Sequence, residues 1–574
     1  MSSKNKGISY GVSATQTKNF LLDEPLLDWL DIYGNSQNIF PNQVDNKLFP
    51  NFLMNKGIQF EQYVVQLLES KHPIYKLPDN INFTKRNSKT IKAMEEGKLI
   101  IYQGGIFHPE LKIYGIPDLL VRSDYLNHII IDPILSNQDI NIPCKYSQNW
   151  HYRVIDIKFS TLYLSSDAQH LLNNKMTIVY KGQLTIYNEC LGYTQQYKPN
   201  NAYILGRKWQ YQNNNTTYSG FNCLEKLGLV NFEKESNIIK KTFEAINWIQ
   251  ELRKNGHIWT IQPPSIKELY PNLSNKYDYP WHNIKKIIAQ QIGDITLLWQ
   301  CGVKERNYSH NTGIQRWDNI IDPSINLNVF GKKAKIIDNI ITTNKNNDIK
   351  LSPRRIKNWN CLQKIKPTQL YFICDFETTN DLNTEFNHSS NGTIIFMIGC
   401  ITVYYNQYGI QERDFQSFTC NQLSHQQEFY IINEWINYMN TYAQIFKIDN
   451  PIIYHWSKAE PSLYNHALNK YNCQYIWGSL NYIDVLDIFK EEPITVKGAF
   501  SYNLKDISRA LYNNKLINTL WDNQDIDGQE AMIYAWQWNT DSQNNMDIIH
   551  KIQKYNYIDC KVIDDILELL RTRT

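Results

Sequence analysis

The sequence lacks closely spaced cysteine pairs. Its ten cysteines are scattered over 574 residues, and no two of them form a Cys-x-x-Cys motif. Zinc ribbons and four-cysteine clusters normally draw their ligands from such local pairs, so neither kind of site is expected. We therefore interpret the cysteines as small buried apolar residues of a protein in a reducing compartment.

Long apolar segments are also missing. The longest apolar stretch, 393–405, is interrupted by Gly399 and is too short to cross a bilayer. Residues 1–16 are polar and do not follow the basic-then-apolar pattern of a secretory signal. These features predict an intracellular protein, cytoplasmic or nuclear, that is neither secreted nor in contact with a membrane.

A strong charge surplus and a nucleotide-binding loop are absent as well. The net charge is only +3, which does not by itself indicate a protein that binds nucleic acid. The motif Gly-x-x-x-x-Gly-Lys-Ser/Thr does not occur, so the chain encodes no P-loop ATPase. Any helicase that works with this protein would be a separate partner.

Apolar material, in contrast, is ample. Hydrophobic residues make up 42% of a chain that is long enough for two to four domains. The hydrophobic periodicity predicts the α/β class. The expected divisions are an irregular N-terminal arm over 1–50, an α/β domain over 51–230, a helical middle region over 231–325, a linker over 326–366 and a second α/β domain over 367–574. The linker is expected because its segment is rich in Asn, Lys and Asp and poor in large apolar residues.

Local patterns predict individual elements of the first α/β domain. Apolar residues at helical spacing favour helices over 55–70 and 167–191. A short β-type run favours a strand over 129–131.

Four polar residues of this domain form a candidate metal site. Asp156 and Lys158 are two apart on a predicted strand, so their side chains face the same way. Asp118 follows a Gly-Ile-Pro turn, and Glu61 lies on the first predicted helix. Carboxylates of this kind suit Mg²⁺ or Mn²⁺, and a nearby lysine can orient a metal-bound water. Taken alone, an Asp-x-Lys pair is usually a solvated ion pair, so the order of all the pieces carries the interpretation.

That order is Gly-x-x-Phe-Glu, Gly-x-x-Asp-Leu-Leu, Asp-x-Lys and Gln-x-x-x-Tyr, and it resembles the RecB-like branch of the PD-(D/E)XK nuclease superfamily. Three further stretches, 90–94, 102–105 and 202–207, resemble one of its sub-groups, the predicted RecB-family nucleases with an appended RNase H-like domain. The resemblance implies a PD-(D/E)XK restriction-endonuclease-like fold for residues 51–230. Some RecB-like relatives hold an iron–sulfur cluster with four cysteines. Because that cysteine pattern is missing, no iron–sulfur cluster is expected.

The resemblance also implies roles for individual residues. The expected metal ligands are three acids, Glu61, Asp118 and Asp156. Lys158 would be catalytic. Gln183 and Tyr187, which are four apart and share a helix face, would support the site or the DNA. Arg207, in the 202–207 stretch, is a candidate contact to nucleic acid.

A second set of acids lies in the second α/β domain. A predicted strand ends in Asp375-Phe-Glu377, and the two buried acids would repel each other strongly unless a cation lay between them. Glu460 lies at a helix start after a later apolar strand. Tyr555 and Asp559 are four apart and share one face of the last predicted helix. Taken singly, Asp559 would be a solvated acid and Tyr555 a core aromatic residue.

Other polar residues lie near this second set. Lys497 and Lys505 flank a loop that runs into a helix, and both are candidate contacts to phosphate. His455 and Trp456 precede Glu460, and we interpret them as packing or substrate-stacking groups rather than metal ligands.

The second set resembles the RNase H-like 3′–5′ exonucleases of the DEDD type, in the variant that has a tyrosine four residues before the last acid. The resemblance implies that two metal ions are held by four acids, Asp375, Glu377, Glu460 and Asp559. It implies that Tyr555 orients the attacking water. Typical members have aspartate at the position of Glu460.

The sequence therefore predicts an Mg²⁺- or Mn²⁺-dependent nuclease that acts on DNA in repair, recombination or replication. It would have an N-terminal RecB-like centre, a helical middle region and a C-terminal RNase H-like domain with an exonuclease-like centre. Two alternatives stay open. The protein could be a nucleic-acid-binding or scaffold protein in which one or both centres are inactive, or its substrate could be RNA.

Overall fold

The computed structural model describes residues 11–41, 48–386, 392–522, 526–541 and 545–574. The chain forms two compact units, the first ending at Ile288 and the second beginning at Ala289, with the short segment from Glu385 counted with the first. Within the described ranges, no helix combines the length and the apolar character needed to cross a membrane.

A seven-stranded mixed sheet is the frame of the first unit. Its strand Tyr152–Leu164 pairs in parallel with Asn201–Asn213 and antiparallel with Leu119–Arg122. Residues 152–157 of this strand are all buried, as expected where both faces of a sheet are covered. The other strands of this sheet are Ile74–Lys76, Ile100–Tyr102, Thr216–Gly220 and Gly228–Asn231. A three-stranded sheet is formed by Val12–Ser13, Ile106–His108 and Ile113–Gly115.

The first unit also contains helices, the last of which continues past the boundary at Ile288. They are Lys18–Leu21, Leu26–Tyr33, Leu48–Glu69, Phe83–Glu95, Ser123–Ile129, Asn137–Ile140, Lys175–Gln195, Ser236–Asn255 and His282–Ile292. The helix predicted over 167–191 is Lys175–Gln195 in the structure. It begins at Lys175 because Asn174 caps it by accepting a hydrogen bond from the Thr177 amide at 2.9 Å. Asp167 instead accepts bonds from the amides of Gln169 and His170, which closes a turn.

Two predictions for the first unit differ from the structure. Residues 1–10 and 42–47 of the expected arm lie outside the described residues. The described part is not irregular, since helix Leu26–Tyr33 buries Trp29, whose indole donates to the Gly256 carbonyl at 2.8 Å. The strand expected over 129–131 is absent, because residue 129 ends the helix Ser123–Ile129.

A five-stranded sheet is the frame of the second unit. Numbered along the chain, its strands lie in the order 3-2-1-4-5: Gln411–Thr419, Ile394–Tyr405, Leu370–Thr379, Ile452–His455 and Asn481–Asp484. The first three are antiparallel and the last two join in parallel. A small antiparallel pair is formed by Leu351–Ser352 and Thr495–Val496.

Helices cover both faces of the five-stranded sheet. They are Val303–Asn311, Pro323–Asn326, Gly331–Lys345, Trp359–Ile365, His425–Phe446, Ala459–Tyr471, Gln474–Trp477, Val485–Glu491, Leu504–Asn513, Gly528–Thr540 and Met546–Arg571. Side chains alternate along the central strand, so Tyr371 and Ile373 enter one core and Phe372 and Cys374 the other.

The segment expected to be a linker, 326–366, is largely folded. Helix Gly331–Lys345 buries four isoleucines, Ile336, Ile337, Ile340 and Ile341, in the same core as Tyr371. Their spacing forms one apolar stripe on the helix. Because Asn, Lys and Asp are frequent in this segment, its overall composition did not reveal the apolar stripe.

Candidate functional site

Three carboxylates meet at the central strand of the second unit. Asp375 and Glu377 lie on Leu370–Thr379, and Asp559 lies on helix Met546–Arg571. One carboxylate oxygen from each residue lies within 4.8 Å of the others. Glu377 and Asp559 are each 6% exposed. Strand alternation and helix packing thus bring together three of the acids that the sequence predicts.

The electrostatics of this group favour a bound cation. Burial and the charge of Asp559 raise the pKa of Asp375 well above its usual range. Burial and the same charge raise the pKa of Glu377 to about 8. Burial raises the pKa of Asp559 to about 7, against the opposing effect of Lys505. A divalent cation between the carboxylates would relieve both the repulsion and the loss of hydration.

Asn556 is a site residue that the sequence reasoning missed. It is fully buried, and its amide nitrogen donates to the Asp375 carboxylate at 2.8 Å and to the Asp375 carbonyl at 3.1 Å. Gly399 pairs with Asp375 in the sheet, and a Cβ there would lie 1.9 Å from the Asn556 side-chain oxygen. The available signal was the spacing of Asn556 and Asp559, which are three apart on one helix face.

Tyr555 and Lys505 lie together beside the carboxylates. The ammonium of Lys505 is 4.8 Å from the centre of the Tyr555 ring and 5.6 Å from that of Trp521. Burial and the charge of Asp559 raise the pKa of the Tyr555 phenol. The positive charge of Lys505 lowers the pKa of both Glu377 and Asp559, which places the lysine within the electrostatic reach of the site.

Lys497 has a different environment. Its ammonium donates to the Asn346 carbonyl at 2.9 Å and to the Asn347 side chain at 2.7 Å. The lysine therefore ties two loops of the second unit together.

Glu460 does not join the group of three carboxylates. It lies in the first turn of helix Ala459–Tyr471 and is 5% exposed. Its charge raises the pKa of Asp375 and Asp559, so it lies near them. Its carboxylate is 3.3 Å from the Nδ1 atom of His455.

In the first unit, Asp118, Asp156 and Lys158 lie together. Lys158 Nζ is 2.7 Å from Asp156, and Asp118 accepts a hydrogen bond from the Ile157 amide at 2.6 Å. Burial and the charge of Asp156 raise the pKa of Asp118 well above its usual range. Burial lowers the pKa of Lys158, but the two acids outweigh it and raise the value.

Glu61 lies at the edge of this group. Tyr102 and Gln103 both donate to its carboxylate, each at 2.8 Å. Among the described residues, only the second unit has three carboxylates within 4.8 Å of one another. Glu61, Asp118 and Asp156 are therefore more widely spaced than Asp375, Glu377 and Asp559.

The remaining predicted residues of the first unit are buried. Tyr187 packs against Gly115, where a Cβ would lie 2.2 Å from the ring. Burial and the charges of Asp156 and Asp118 raise the pKa of Tyr187 well above its usual range. The Gln183 side-chain oxygen is buried and has no hydrogen-bond partner within the described part of the chain. Arg207 is 8% exposed, and its guanidinium lies 5.1 Å from the Phe159 ring centre.

Comparison with known protein families finds a match within the second unit. Residues 372–571 match the family model RNase_H_2, which belongs to the RNase_H superfamily. No curated protein matches the chain. The matched segment contains all four acids of the second set and Tyr555, so the C-terminal part of this protein is an RNase H-like unit with an acidic cluster suited to a metal ion.

Proposed function

We propose that this protein is a divalent-metal-dependent nuclease that hydrolyses phosphodiester bonds of DNA in repair, recombination or replication. One observation carries the proposal: three buried carboxylates, Asp375, Glu377 and Asp559, cluster within an RNase H-like unit. Buried charges of one sign are costly unless a cation compensates them, which favours a metal-dependent function over a purely structural one.

Mg²⁺ or Mn²⁺ fits this cluster, because both ions prefer carboxylate oxygens. Asp375, Glu377 and Asp559 would hold it, with Glu460 as a further acid. When bound, such a cation lowers the pKa of a coordinated water and stabilises the charge that develops on a phosphate.

The residues around the cluster suit a 3′–5′ exonuclease-like centre. The Tyr555 phenol stays protonated at neutral pH, since burial and the nearby acids raise its pKa. A protonated phenol can donate a hydrogen bond that orients a water molecule or a phosphate oxygen. Lys505 supplies a positive charge beside the ring, where it can contact the phosphate of the substrate.

We propose a second, RecB-like centre in the first unit. It is supported by the contact of Lys158 with Asp156 and by the raised pKa of Asp118. Lys158 would stabilise negative charge on the phosphate. Glu61, Gln183 and Tyr187 are assigned to the same centre, and Arg207 to the nucleic-acid contact. A separate helicase is the partner that would supply single strands from a duplex.

The test is a cleavage assay with the full-length protein on labelled DNA and RNA, each with Mg²⁺, Mn²⁺ or EDTA. We expect metal-dependent shortening of DNA. We also expect Asp375→Asn and Asp559→Asn each to slow it by on the order of 10²-fold or more. Asp547→Asn is the matched control, because Asp547 is exposed on the same helix as Asp559.

Two other outcomes would contradict the proposal. Binding of DNA without cleavage under every metal condition would favour a nucleic-acid-binding or scaffold protein. Cleavage of RNA with no cleavage of DNA would make the protein an RNA-directed nuclease.

A further inference from the structure

His455 and Glu460 form an unusual buried pair at the end of strand Ile452–His455. His455 is 2% exposed and Glu460 is 5% exposed. His455 Nδ1 and Glu460 Oε2 are 3.3 Å apart. Neither atom has a hydrogen-bond partner among the residues that the structure describes, so the contact lacks hydrogen-bond geometry. An ordinary ion pair would direct the imidazole N–H at the carboxylate, and this pair does not.

A third buried polar atom lies close to this pair. The Tyr482 ring centre is 5.3 Å from that of His455, and its strand pairs in parallel with Ile452–His455. The Tyr482 hydroxyl is also buried and has no partner in the described chain. Buried polar atoms without a hydrogen-bond partner are rare in folded proteins, and several on neighbouring residues point to a bound ion or water. The carboxyl ends of parallel strands are a common place for such ligands.

His455 reaches this end of the sheet from the face opposite to that of Asp375. Ile453 and Phe372 are register partners that share one core with Tyr464 of helix Ala459–Tyr471. His455, two residues after Ile453, faces the same way. Asp375 faces the opposite way, towards Asn556. Glu460 lies between the two faces in effect, since it contacts His455 and its charge also raises the pKa of Asp375 and Asp559.

We propose that His455 Nδ1 and Glu460 Oε2 are ligands of a second divalent cation, and this proposal rests on the proposed nuclease function. Metal–nitrogen and metal–oxygen bonds of about 2.1 Å would span 3.3 Å at an angle of about 100°, within the tetrahedral-to-octahedral range. Imidazole nitrogen favours transition ions over Mg²⁺, so this position selects Mn²⁺, Co²⁺ or Zn²⁺. The sequence alone favoured a packing or substrate-stacking role for His455, and the unpaired Nδ1 atom changes that interpretation.

The direct test is pulsed electron paramagnetic resonance on the full-length protein loaded with Mn²⁺. Coupling of the ion to an imidazole ¹⁴N is expected in the wild type. We expect its loss in His455→Asn and in His455→Gln. His466→Asn is the matched control, because His466 is exposed on the same helix as Glu460. Titration calorimetry should show one fewer Mn²⁺ bound in both His455 variants.

The results separate this inference from the proposed function. A wild type without ¹⁴N coupling overturns the His455 site, whether or not the variants fold. Coupling that survives in both His455 variants also overturns it. If DNA is not cleaved under any metal condition but the coupling is present and depends on His455, the nuclease proposal fails and the metal site stands.

Discussion

Burial disfavours the charged forms of Glu377 and Asp559 in the metal-free protein. On folding, burial and the charge of Asp559 raise the pKa of Glu377 from 4.5 to about 8, and burial raises that of Asp559 from 3.8 to about 7. An acid with a raised pKa contributes stability that is complete below its unfolded pKa and is lost as the pH rises through the folded pKa. We therefore expect the melting temperature of the metal-free protein to fall between about pH 4 and about pH 8.

Metal and mutation should both change this pH profile. Mn²⁺ should restore the melting temperature at pH 8, because it compensates the carboxylates. Asp559→Asn should flatten the profile in EDTA, while the exposed control Asp547→Asn should leave it unchanged. Calorimetry in EDTA and in Mn²⁺ measures both effects. A wild-type profile that is flat in EDTA would show that the three acids do not repel each other.

Gly399 leaves the space that Asn556 occupies beside Asp375. A Cβ at Gly399 would lie 1.9 Å from the Asn556 side-chain oxygen, so Gly399→Ala must displace Asn556 or the strand. We expect destabilisation of about 1–3 kcal/mol and weaker Mn²⁺ binding. Gly528→Ala is the control, since a Cβ there meets nothing within 4 Å. Unchanged Mn²⁺ affinity in Gly399→Ala would mean that Asn556 does not position the acid.

At this scale, the sequence predicted side chains whose placement follows from local periodicity. The strand alternation of Asp375 and Glu377 and the four-residue spacing of Tyr555 and Asp559 are of that kind. Asn556 was missed, because its three-residue spacing from Asp559 acquires a meaning only when the helix is packed against the strand that carries Asp375. The position of Glu460 beside His455 depends on a side-chain rotamer, which the sequence does not encode locally.

Among the elements, helix Gly331–Lys345 shows where composition misleads. Its segment is rich in Asn, Lys and Asp, and those residues cover the exposed face of an otherwise apolar helix. Longer periodic segments were easier to predict, and the last predicted helix, which carries Tyr555 and Asp559, is the helix Met546–Arg571. The start of helix Lys175–Gln195 was missed because a side-chain cap, rather than hydrophobic periodicity, fixes it.

The same helix yields a prediction about stability. Ile337 is fully buried, so Ile337→Ala leaves a cavity in the core of the second unit. We expect a loss of about 2–5 kcal/mol in the free energy of unfolding. Ile325→Ala, at a residue that is 66% exposed, should cost much less. Denaturant titration followed by circular dichroism measures both, and equal effects would mean that the segment is a linker after all.

For the whole molecule, periodicity gave the α/β class but not the boundaries. The first unit runs to Ile288, well past the expected end at 230. This unit includes contacts between distant parts of the chain, such as the hydrogen bond of 2.9 Å that the Trp248 indole donates to the Asp28 carboxylate. Pairs separated by more than 200 residues leave no local pattern. The RNase H-like unit was predictable because its motifs are local, and the match over 372–571 confirms it.

The two proposed centres differ in chemistry, so we expect that different DNA substrates will distinguish their activities. The proposed centre around Asp375 is exonuclease-like and needs a free 3′ end, so the Asp156→Asn protein should digest linear single-stranded DNA and leave a single-stranded circle intact. The Asp375→Asn protein should lose 3′–5′ digestion of the linear strand and keep whatever cleavage the first unit provides. Gel analysis of end-labelled linear DNA and of circles, with Mn²⁺ and with EDTA, measures these activities. The double variant is the control and should cut neither substrate. Circles cut by Asp156→Asn but not by the double variant would make the RNase H-like centre an endonuclease, because a circle offers no end from which an exonuclease can begin.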